Sequence, residues 1–120
     1  MKKTVFWAKL KGMNIKLKFA NLEPTTSLEA YANQKFRMLE KMLVHLDPEG
    51  TADLNVELAY TSRHHQKGDI YEAKANLHIP GKTFQVGETE ADLYAAIDMA
   101  KDTLYRALEK FKDLKTERSR

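Results

Sequence analysis

A single apolar stripe near the carboxyl end of the sequence decides most of what this chain can become. Between Thr89 and Lys115, the residues Leu93, Ile97, Ala100, Leu104, Leu108 and Phe111 recur at steps of three and four. That is the period of an α-helix with one side buried. Neither Gly nor Pro interrupts the run, so a long straight helix is expected, with Thr89 as N-cap and Asp92 as its capping-box partner. Its charges are sorted: Glu90, Asp92 and Asp98 come first, and Lys101, Arg106, Lys110, Lys112 and Lys115 follow. Matching to the helix dipole accounts for acids in the first turn and bases in the last, at roughly a few tenths of a kcal/mol each. It does not account for bases spread over several turns. The basic half is therefore a candidate contact surface for a polyanion.

Such a stripe needs a partner layer, and the upstream sequence supplies one. Met13, Ile15, Leu17 and Phe19 alternate with Asn14, Lys16, Lys18 and Ala20, the pattern of a strand with one wet face. Pro24 breaks the chain, and Thr26 with Glu29 forms a capping box for a helix starting near Ser27. Leu28, Ala32, Phe36, Leu39, Leu43 and Leu46 line one face of that helix until Asp47-Pro48 stops it. Arg37 and Lys41 project from the opposite side, one turn apart. Lys35 lies beside the stripe, its stem packed and its ammonium at the edge. Leu54, Val56, Leu58 and Tyr60 then mark a second strand, and Tyr71, Ala73, Ala75, Leu77 and Ile79 a third. Pro80-Gly81 suits the centre of a type II turn, after which Phe84 and Val86 mark the fourth.

The order β-α-β-β-β-α implies a parallel crossover between the first two strands and an antiparallel meander for the last three. Each strand has only one apolar face, so both helices must cover the same side. The expected fold is α+β: a four-stranded mixed sheet with two helices packed side by side on one face. Residues 1–12 continue no period into the domain and are read as an N-terminal extension, either partly disordered or added to a sheet edge. Residues 13–116 form the domain, and 117–120 a basic tail.

At 120 residues the chain suffices for one layered core. Its net charge of +3 is unevenly placed. Residues 1–20 hold six lysines and no acid, whereas residues 47–88 hold seven acidic against four basic residues. No cysteine is present, which removes disulfides, thiolate metal sites and cysteine nucleophiles and fits a reducing, cytoplasmic setting. Met1-Lys2-Lys3 before Val5-Phe6-Trp7-Ala8 hints at a signal peptide, but Lys9 and Lys11 end the apolar run too early. No stretch is long enough to span a bilayer.

Catalytic patterns are missing: there is no GxxxxGK[ST], GxGxxG, HExxH or GxSxG. Adjacent His64 and His65, with His78, lack a well-spaced further ligand, so no metal and no cofactor are expected. With Arg63 and Lys67 the same pair forms a minor phosphate candidate. Tyr94 and Tyr105 flank the last helix's stripe and read as core-edge packing. The wet sheet face shows no aromatic platform of the kind RNA-recognition-motif sheets use. The packing of the two helices, by contrast, gathers Arg37, Lys41, Arg106, Lys110 and Lys112 into one positive ridge.

The segment ADLYAAID at Ala91–Asp98, followed by Arg106-Ala107-Leu108 and Lys110-Phe111-Lys112-Asp113, resembles the last helix of the ribosome hibernation-promoting factor and ribosome-associated inhibitor family. Met13-Asn14-Ile15 and QKFRMLEKM at Gln34–Met42 resemble that family's first strand and helix, so the likeness runs from Met13 to Lys115. It implies a non-enzymatic protein that docks its basic helix faces on rRNA of the small ribosomal subunit, in the channel for mRNA and tRNA. There it would block translation under stress or in stationary phase. Lys35, Lys41, Arg106, Lys110 and Lys112 match basic positions of the family. Met38 and Leu114 stand where relatives often carry lysine, while Arg37 and Lys101 are basic where relatives often are not and compensate. Without the linker and second domain of the long form, or the acidic tail of the inhibitor branch, the sequence resembles a short form that would not pair ribosomes by itself. Partners on this reading are the ribosome and its small-subunit rRNA, with no membrane and no small-molecule substrate. The competing readings are a generic double-stranded RNA-binding module and an adaptor for an acidic protein.

Overall fold

The computed structural model describes residues 4–10, 13–61 and 68–118. Strands β1 (Thr4–Leu10) and β2 (Met13–Ala20) are followed by helices α1 (Thr26–Arg37) and α2 (Glu40–Leu46). Then come β3 (Ala52–Thr61), β4 (Ile70–Ile79), β5 (Lys82–Glu90) and the long α3 (Leu93–Arg118). The sheet runs β1-β2-β3-β4-β5 in space. β2 and β3 are parallel, joined by the crossover through α1 and α2, and every other neighbouring pair is antiparallel.

The α+β architecture agrees with the sequence reading, with helices over one face only. The alternation on β2 is complete: Met13, Ile15, Leu17 and Phe19 are buried and their neighbours are not. They join Leu54, Val56 and Leu58 of β3, Ala73, Ala75 and Leu77 of β4, and the helix stripe Ile97, Ala100, Leu104 and Leu108 in one core. α3 lies over β4 and β5 and flanks α1 and α2.

Four details differ from expectation. The sheet has five strands rather than four, because Thr4–Leu10 pairs with β2 from Thr4 opposite Phe19 to Leu10 opposite Met13, the sheet-edge alternative left open for the N-terminal extension. Its period is hidden because Val5 and Trp7 are apolar as well as Phe6, Ala8 and Leu10, so no alternation shows. The first helix is two helices. Met38 and Leu39 donate to the carbonyls of Lys35 and Phe36, each at 3.1 Å, a tight three-residue turn between α1 and α2. Leu39 stays fully buried through that turn, so the apolar spacing carries no trace of it.

Both caps also move. Thr25, extended at φ −126° and ψ 155°, caps α1 by accepting from the Leu28 amide at 3.1 Å, while Thr26 is already helical. Thr89 pairs with Glu72 inside the sheet and is unavailable as a cap. Asp92 takes that role, its Oδ1 accepting from the Tyr94 amide at 3.2 Å and its carbonyl from Ala96 at 3.0 Å. The Pro80-Gly81 turn is as expected: Ile79 pairs with Lys82 and Gly81 sits at φ +82°, where glycine is favoured.

Candidate nucleic-acid interface

α1 and α3 run in the same direction, as the contacts between them require. Tyr31 Oη donates to Asp98 Oδ1 at 2.6 Å, and Lys35 Nζ lies 3.7 Å from the same oxygen. The rings of Tyr31 and Tyr94 meet edge to face at 4.8 Å. Further along both helices, Arg37, Met38, Glu40 and Lys41 face Lys101, Asp102 and Tyr105 across a groove of about 560 Å³.

The Tyr31–Asp98 bond joins residues 67 apart in sequence. Accepting this bond makes Asp98 stabilise the protonated phenol. With partial burial and the charges of Asp98 and Asp92 adding to the effect, the Tyr31 hydroxyl is pushed up to about 12. Tyr31→Phe is expected to cost about 1 kcal/mol, read as a lower denaturation midpoint at neutral pH. The sign follows from the raised value: the contribution is fully present below the ordinary tyrosine range near pH 10 and disappears as pH rises to about 12. The wild type should therefore lose its advantage over Tyr31→Phe within that window.

The expected contact residues divide into three groups. Arg37 and Lys41 are exposed at the groove rim. Lys35 and Lys101 are engaged within the protein, Lys35 with Asp98 and the Tyr31 ring, Lys101 with Asp102 at 2.5 Å. Arg106 and Lys110 are exposed, one turn apart on α3, and do not line the groove. Lys112 is half-buried further on. The hydrogen bond from Lys101 holds the Asp102 carboxyl below the usual carboxylate range against an opposing desolvation, and the charges of Lys101, Arg106 and Lys35 lower it further. Of the expected cations, Lys101 bonds this carboxylate directly, while Lys35 pairs with Asp98.

Sequence reasoning passed over several participants. Tyr105, read from the sequence as core-edge packing, is 37% exposed and walls the groove opposite Met38, itself 53% exposed. Lys82, just beyond the Pro80-Gly81 turn, stands 5.6 Å from the Phe84 ring and 5.9 Å from that of Phe111. Lys115 approaches Phe111 at 6.0 Å, so the hairpin tip adds positive charge where α3 ends. The basic loop with Arg63, His64, His65 and Lys67 lies outside the described residues. Among the described residues, no group of three or more His, Asp or Glu side chains is placed to hold a metal ion, and no helix is long and apolar enough to cross a membrane. β1 brings Trp7 to the register position of Lys16.

A mixed sheet carries a parallel helix pair on one face, with Arg37, Lys41, Arg106 and Lys110 exposed on the outer surface of that pair. The chain belongs to the family described as Sigma 54 modulation protein / S30EA ribosomal protein, whose model matches residues 15–116. It is 32% identical over 93 residues to the ribosome hibernation promotion factor of Deinococcus radiodurans, covering 77% of this chain and 45% of that protein. The chain thus spans less than half the length of that relative. Among solved structures it is similar to the N-terminal domain of Protein Y from Thermus thermophilus, with a TM-score of 0.62 and 28% identity over 79% of this chain and 93% of that one. A ribosomal subunit interface protein from Coxiella burnetii shares the fold, with a TM-score of 0.61 at 16% identity over 82% and 97% of the two chains.

Proposed function

We propose that this protein is a cytoplasmic ribosome hibernation factor. It binds the small ribosomal subunit in the mRNA and tRNA channel and inhibits translation under stress or in stationary phase. The observation that carries this reading is the placement of exposed Arg37, Lys41, Arg106 and Lys110 on a helix pair whose other side is committed to the sheet. Family membership and the ribosome-related relatives support the choice of partner.

The mechanism makes and breaks no covalent bond. Lysines and arginines neutralise rRNA phosphates and release counterions, while the bulk of the domain excludes mRNA and tRNA. If five phosphates are engaged, affinity for purified small subunits should fall with salt at a log–log slope of about −3.5 to −4.5. A slope near zero in a sedimentation series would overturn the polyanion reading. Equal affinity for naked duplex RNA would instead favour a generic duplex-binding module.

A further inference from the structure

We propose that the groove between α1–α2 and α3 receives one unstacked nucleobase of single-stranded rRNA, held between Tyr105 and Met38. This deepens the ribosome-binding reading and rests on it. A surface that met only phosphates would gain nothing from an exposed phenol ring and an exposed thioether facing one another. Here Met38 is 53% and Tyr105 37% exposed, on opposite walls of the groove. Its volume of about 560 Å³ falls among sites that enclose small molecules, about 300–1,000 Å³.

The charges around the groove agree with a base inside and phosphates outside. Glu40 and Asp102 are among its lining residues beside Arg37, Lys41 and Lys101, and Asp102 is already bonded to Lys101. The same carboxylates accept hydrogen bonds from amino groups, the edge that cytosine, adenine and guanine present and uracil lacks. Arg37 and Lys41, exposed at the rim, suit the phosphates on either side of the inserted nucleotide. Stacking on an aromatic ring then supplies an attraction that salt does not screen.

The test is the affinity of variants of the 120-residue chain for purified small ribosomal subunits, measured across a salt series. Tyr105→Ala should bind about ten-fold more weakly at every salt concentration with an unchanged slope, and Tyr105→Phe should bind like wild type. Arg37→Ala should instead flatten the slope by about 0.7–0.9. Circular dichroism melts establish that each variant is folded. If Tyr105→Ala does not fold, Met38→Ala replaces it and should show a several-fold loss, again with no change of slope. Wild-type affinity in the folded alanine variant, or a loss that phenylalanine fails to recover, overturns the base slot. Wild-type binding by Tyr105→Ala beside lost binding on charge reversal at Arg106 and Lys110 removes the slot and leaves ribosome binding standing. Undiminished binding in both removes the two together.

Discussion

Replacing Arg106 and Lys110 by glutamate is expected to leave the domain folded and to abolish its co-sedimentation with ribosomes. Both side chains are exposed on α3, where substitutions usually change stability by no more than about 0.5 kcal/mol. The main structural penalty is local. Arg106 helps keep Asp102 ionised, and a glutamate in its place would set a like charge one turn away, at roughly 0.2–0.5 kcal/mol. The effect on binding is of another order. Two attractions to phosphate become two repulsions, each costing several kcal/mol at an interface, so affinity should fall by at least about 100-fold. Pelleting of the folded variant with ribosomes at wild-type level would exclude the outer surface of α3 from the interface.

Asp47→Ala should do the reverse, weakening the fold without touching the interface. Asp47 is only 3% exposed, a buried acid between α2 and β3. Its Oδ2 accepts from the Ala52 amide at 2.6 Å and its Oδ1 from the Thr51 hydroxyl at 2.8 Å. Its own amide donates to the Leu43 carbonyl at 2.7 Å, and its carbonyl accepts from the Gly50 amide at 3.0 Å. Alanine removes both carboxylate acceptors and strands a buried amide at the first residue of β3, for about 2–3 kcal/mol. In a domain of this size that lowers Tm by about 10 °C. Asp47→Asn keeps one acceptor for Ala52 and should lose less than half as much. Equal melting of the alanine variant and wild type would show that this junction is not held by the carboxylate.

Periodic features of the sequence are legible because each records its own burial. The alternation of Met13, Ile15, Leu17 and Phe19 and the stripe from Leu93 to Phe111 lead directly to the helix-covered sheet. Features that depend on position in space are not. Nothing in the apolar pattern distinguishes Tyr31 from any half-buried tyrosine until Asp98, far along the chain, is brought beside it. Asp47 reads as a helix stop because Pro48 follows it, and only the return of the chain into β3 shows it as an acceptor. Tyr105 falls at the margin of the stripe, where one position more or less decides between core and groove. The seven basic candidates follow from composition, helical spacing and family resemblance, but pairing with Asp98 and Asp102 separates Lys35 and Lys101 from the cations at the rim.

The two helices are fastened unevenly along their length. Tyr31 ties α1 to Asp98 and Tyr94, whereas about 10 Å further along α3, at Tyr105, the facing walls stand apart. Beneath that groove Leu39, Leu43, Leu104 and Leu108 remain buried, so the gap opens only on the outer side of the helix pair, away from the sheet.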